Sequence, residues 1–108
     1  EIRQFDFTDG KPSGHRLIAD LDDEQLRNMM AYDFNGNGRK ELVVAPFKTG
    51  LYLLSSQDGQ SYEVQRFEDK SAGFEHTANV LDIDQDGTSE IYVADDDHSK
   101  SLNRYTWK

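Results

Sequence analysis

The stretch "VLDIDQDGTSEIYVAD", residues 80–95, places Asp82, Asp84 and Asp86 at alternate positions, bends at Gly87 and runs at once into an apolar segment. Three carboxylates drawn together repel one another unless a positive charge sits among them. A weaker copy lies upstream in "AYDFNGNGRKELVVAP", residues 31–46, where Asp33, Asn35, Asn37 and Gly38 stand in the same order. The two loops begin 49 residues apart, and the segments that follow them, "ELVVA" (41–45) and "EIYVA" (90–94), keep that offset.

The period extends outward from these loops. "LYLLSS" begins at Leu51 and "SLNRYTW" at Ser101, a step of 50, while "IRQFDF" begins at Ile2, 49 residues before Leu51. "HRLIAD" (15–20) and "YEVQRF" (62–67) occupy matching places 47 apart. All are short runs rich in β-formers and bounded by turn residues, which predicts strands. One unit is complete: strands at 28–34, 40–47, 51–57 and 61–68, separated by "NGNGR", "KTG" and "DGQ". The next repeats three strands, at 77–84, 90–95 and 101–107, and the first two strands of the chain, joined by "TDGKPSG", resemble the end of a preceding unit. The acidic segment "DLDDEQLRNM" (20–29) could start a short helical turn before Leu26, but reads more simply as a solvated connection.

Antiparallel four-stranded units of about 40 to 50 residues, repeated, predict an all-β fold of β-propeller blades. The expected organisation is a partial propeller of about two blades. Residues 1–25 would be the last strands of a preceding blade, 26–70 a complete blade with the first loop, and 71–108 an incomplete blade with the second.

Composition narrows the partners. A chain of 108 residues with a formal net charge of -9 lacks the basic face that nucleic acid or an anionic membrane demands, so cations are the more natural company. The absence of cysteine removes disulfides and thiolate metal sites. No apolar run approaches the roughly 20 residues that span a bilayer, and "EIRQFDFTDG" lacks the basic start and apolar centre of a signal peptide.

Counting from the first aspartate, the second loop offers Asp82 at position 1, Asp84 at 3, Asp86 at 5, the backbone carbonyl of Thr88 at 7 and Glu90 at 9. Oxygen donors at alternate positions of a turn sharpened by glycine at position 6 wrap hard cations, and calcium suits a set made of oxygen alone. The first loop offers Asp33, Asn35, Asn37, the carbonyl of Arg39, and Glu41. Its formal ligand charge is -2 against -4, so weaker binding is expected there. An EF-hand is excluded because position 12 is Val44 in one loop and Val93 in the other. The alternative is that Asn-Gly and Asp-Gly serve only as hairpin turns. It remains open for "NGNG", but it does not explain the alternating acids of "DIDQDGTSE".

"DFNGNGRKELVVA" and "DIDQDGTSEIYVA" resemble the DxDxDGxxDhhh signature of FG-GAP/VCBS repeats, found in integrin α-chain propellers and in many secreted bacterial propellers. Glu41 and Glu90 stand where the family usually has aspartate. The resemblance implies that calcium clips the hairpin between the first two strands of each blade. It implies a secreted or cell-surface protein serving adhesion, or glycan or protein recognition. Expected partners are the remaining blades of a larger propeller or other copies of the chain.

Tyr105 and Trp107 could stack on sugars, though such residues more often pack between blades, and Asp95, Asp96 and Asp97 could add acidic ligands. An enzymatic alternative is a propeller-type polysaccharide lyase with His76 as base, while His15 and His98 lie in turns. No second residue at a diagnostic spacing supports catalysis, and no catalytic residue is assigned.

Overall fold

The computed structural model describes residues 1–68, 75–95 and 102–106, apart from the side chains of residues 68, 75, 76 and 95. Nine strands occupy them: β1 (Ile2–Thr8), β2 (Lys11–Ala19), β3 (Leu26–Tyr32), β4 (Glu41–Pro46), β5 (Leu51–Ser55), β6 (Glu63–Glu68), β7 (Glu75–Leu81), β8 (Glu90–Asp95) and β9 (Leu102–Thr106). There is no helix among the described residues. Every pairing is antiparallel and joins strands consecutive in the chain, giving sheets β1–β2, β3–β4–β5–β6 and β7–β8–β9.

The middle sheet is buried on both faces, and β4 shows how. Val43 and Ala45 point to one side and pack with Leu51 and Leu53 against Ala78, Ile91 and Val93 of the third sheet. Val44 points the other way and joins Leu54 against Ile2, Ala19 and Leu21 of the first hairpin and its connection. Side chains of a strand alternate between faces, so a strand with a core on each side must be apolar throughout, as "LVVA" is. Each fully buried Leu or Val contributes about 1.5–3 kcal/mol relative to exposure.

Irregularities in the ladders repeat with the sequence. The β3–β4 ladder shifts register between Leu26 and Asn28, and the β7–β8 ladder between Glu75 and Thr77, 49 residues on. The β1–β2 ladder shifts between Ile2 and Arg3, and β5–β6 between Leu51 and Tyr52. These landmarks correct two offsets. Gln4 faces Arg16 as Leu53 faces Gln65, so β2 and β6 are also related by 49 residues and not 47. Val43 faces Leu53 while Tyr92 faces Arg104, so the counterpart of Leu51 is Leu102, not Ser101. The connection into β9 is longer than "FKTG", which carries β4 into β5.

Two local expectations also change. "TDGKPSG" is not a loop: Asp9 and Gly10 take φ of 51° and 74° and make the two-residue turn, so β2 begins at Lys11. Paired positive φ values are what a tight right-twisted hairpin requires. Pro12 is tolerated within β2 because, among the described residues, β2 pairs only with β1. Residues 20–25 are the expected connection, with no helix, but the strand after them begins at Leu26, two residues before the expected Asn28. Asp23 holds the preceding segment in place. Its carboxylate accepts the Lys48 and Thr49 amides at 2.7 and 3.1 Å, the Thr49 hydroxyl at 3.2 Å and the Gln25 amide at 3.1 Å.

Candidate metal centre

Both acidic loops are bent by their own side chains. Asp33 accepts the Asn37 amide on Oδ1 at 3.1 Å and the Gly38 amide on Oδ2 at 2.8 Å. Asp82 does the same with Asp86 and Gly87, each at 3.1 Å. The side chain at position 5 then receives the amide at position 7: Asn37 from Arg39 at 2.8 Å, Asp86 from Thr88 at 2.7 Å. Positions 4 and 6 adopt left-handed backbone, at φ 71° and 83° for Gly36 and Gly38 and 59° and 89° for Gln85 and Gly87. Aspartate and asparagine favour this chemistry because their short polar side chains reach the backbone two to five residues on.

This geometry brings together one ligand atom each from Asp82, Asp84 and Asp86, within 4.8 Å of one another. Asp82 is half-buried and the other two are exposed. The cluster contains neither nitrogen nor sulfur donors, and such an oxygen set on a sharply bent turn fits a hard divalent ion. Glu90 lies outside the cluster. It is buried, and its Oε2 accepts the Tyr92 hydroxyl at 3.4 Å.

The first loop is wired differently. Glu41, also buried, accepts the Phe34 amide at 2.8 Å and the Asn35 side-chain amide at 3.0 Å. Asn35 Oδ1 meanwhile accepts the Asn37 amide at 3.1 Å, beside the Asp33 oxygen that accepts the same donor. The amide at position 3 can thus donate to the glutamate at position 9. In the second loop the corresponding pair, Asp84 and Glu90, are both carboxylates and cannot bond in this way. Asp84 instead has Arg104 Nη1 at 3.7 Å from Oδ2.

The loops share one rim of the molecule. The hydroxyl of Tyr32, the residue before Asp33, lies 2.7 Å from that of Ser89, the residue before Glu90. The Tyr32–Ser89, Tyr92–Glu90 and Arg104–Asp84 contacts lie beside the loops and are not part of the loop motif. The sequence signal for Arg104 was its place opposite Tyr92, which a period of 50 across β9 conceals.

The other candidates separate clearly. His15 stacks on Phe5 with ring centroids 5.4 Å apart and has Arg3 Nη1 at 3.3 Å from Nδ1, which makes it part of the hairpin surface. Tyr105 packs edge-on against Phe67 across the two sheets at 5.5 Å. Beside this pair is a cleft of about 660 Å³, lined by Leu53, Gln65, Phe67, Ile91, Arg104, Tyr105 and Thr106. No carboxylate or histidine is among those residues. His76 lies in β7, but its side chain is outside the described residues, as is that of Asp95; Asp96, Asp97, His98 and Trp107 are outside them altogether.

Compared with known families, residues 33–101 match the model of the FG-GAP-like repeat, a span that begins at the first aspartate of the first loop and includes all of the second. No curated protein and no solved structure matches the chain.

Proposed function

The chain belongs to the FG-GAP-like repeat family, and on that premise we propose that it is a calcium-clipped segment of a β-propeller. Each sheet is a blade or part of one, and the ion pins the first two strands of its blade at the loop between them. The observation that carries this reading is the meeting of Asp82, Asp84 and Asp86 within 4.8 Å on a turn bent by its own hydrogen bonds. A divalent ion removes the repulsion of that cluster, so binding favours the folded hairpin over the open chain.

The second loop is the stronger site. Its donors carry two more formal negative charges than those of the first, where Asn35 and Glu41 already satisfy each other. The role is structural, in support of adhesion or of glycan or protein recognition. Exposed sites of this kind suit the calcium-rich cell exterior, where modules bind with dissociation constants of roughly 0.1–1 mM.

The partner is further sheet of the same type. Leu102 is 70% exposed, yet its counterpart Leu51 is fully buried against a neighbouring sheet; Phe5 is 56% exposed, and its counterpart Leu54 is fully buried. Each outer face of the three-sheet stack therefore exposes an apolar side chain where the middle sheet buries its counterpart.

Calorimetric titration of the full chain with calcium chloride tests the proposal. Two phases are expected, the tighter abolished by Asp82→Ala and the weaker by Asp33→Ala. Saturation at about 100 times the dissociation constant should stabilise the fold by about 2.7 kcal/mol, read as a higher melting temperature. No heat at millimolar calcium and no change in melting would sink the reading.

A further inference from the structure

One oxygen from each of Asp82, Asp84 and Asp86 lies within 4.8 Å of the others, and the chain carries a cation of its own beside them. Arg104 on β9 reaches Asp84 at 3.7 Å, with the two side chains 55% and 52% exposed. Water and salt weaken such a contact, so it holds the loop loosely and leaves it open to an incoming ion. The comparison between sheets gives the pair its meaning. In the middle sheet the place of Arg104 is taken by Leu53, which is buried in the core. There the loop has neutral Asn35 at position 3, bonded to Glu41. The arginine thus accompanies the loop with the additional charge.

We propose that Arg104 is the resident counter-cation of the second loop, occupying Asp84 until calcium displaces it. The inference rests on the calcium reading of that loop. The guanidinium and the ion compete for the same carboxylate, and they repel each other once both are near. Arg104 therefore lowers the calcium affinity of the loop below what its carboxylates alone would give. It also steadies the loop weakly when calcium is scarce. On displacement the guanidinium is released on the outer face of the third sheet, beside Tyr92, its cross-strand neighbour.

Repulsion between a double and a single positive charge across several ångströms of exposed, salt-screened space corresponds to roughly three- to tenfold in affinity. The test is calcium calorimetry at low salt on the full chain and on Arg104→Leu, which copies the middle sheet, and Arg104→Gln, which keeps a long polar side chain. Asp82→Ala identifies the second-loop phase in each background. Both neutral variants should bind calcium roughly three- to tenfold more tightly at that loop, and Arg104→Lys should stay close to the parent. Without calcium both neutral variants should melt lower than the parent, and saturating calcium should narrow that gap. Equal or weaker affinity in both neutral variants overturns the counter-cation while leaving the calcium site intact. Absence of a second-loop phase in every chain overturns the calcium reading, and this inference with it.

Discussion

Asp23 shows what one carboxylate can do outside any recognisable motif. Burial pushes its acidity toward the neutral form, but the amides of Lys48, Gln25 and Thr49 and the Thr49 hydroxyl outweigh this and hold it below the ordinary aspartate value. Its contribution to stability is therefore present above the unfolded value of about 3.9 and is lost as pH falls through the lower folded one. Asp23→Ala should cost about 1–2 kcal/mol in urea unfolding, because it leaves backbone donors of the β4–β5 turn unpaired. Asp23→Asn should show a shallower fall in melting temperature below about pH 4 than the parent. This clamp was illegible in "DLDDEQ": Asp20, Asp22, Asp23 and Glu24 offer equivalent chemistry in one dimension. Only the fold decides which one meets the turn 25 residues away. The acids of the second loop were legible because they are their own context, spaced so that a local bend brings them together.

At the scale of the hairpin, the loops illustrate the same design with different tolerances. A Cβ on Gly87 would meet nothing within 4 Å, so any cost of Gly87→Ala comes from its φ of +89° and not from a clash. That cost should be about 1–2 kcal/mol. Gln85, at φ 59°, stands where the first loop has Gly36 at 71°. Relief of its strain is partly offset by the greater freedom of glycine in the unfolded chain, so Gln85→Gly should gain less than about 1 kcal/mol. Urea midpoints at unchanged slope check both. Strand positions were readable because β4, β5 and β8 combine β-branched or apolar runs with glycine-bearing boundaries. Their ends were less so: Asp33 and Phe34 continue the β-rich pattern of "NMMAY", yet they turn into the loop because the Asp33 carboxylate captures its amides. Nothing in "TDGKPSG" announced a strand, since the hairpin needed only Asp9 and Gly10 and the proline took a strand that, among the described residues, pairs on one side alone.

For the whole molecule, the alternation along β4 divides the core in two and makes the middle sheet common to both halves. Leu54→Ala removes a fully buried side chain from one half and should cost about 2–5 kcal/mol. Leu102→Ala, at an exposed position of the same apolar type, should stay within about 0.5 kcal/mol in the isolated chain. Chemical denaturation of both variants separates the two cases, and a large loss at Leu102 would mean that its face is already covered. The repeat made the order of sheets legible, but not their faces, because a side chain bound for an interface and one left at an outer surface are written with the same residue types.

Three sheets in a row have two interfaces between them. In general an open row has one interface fewer than it has members, whereas a ring has as many as members. If such sheets close into a ring, closure adds a whole core without adding a residue, and exposed apolar groups such as Phe5 and Leu102 are the surface it would cover.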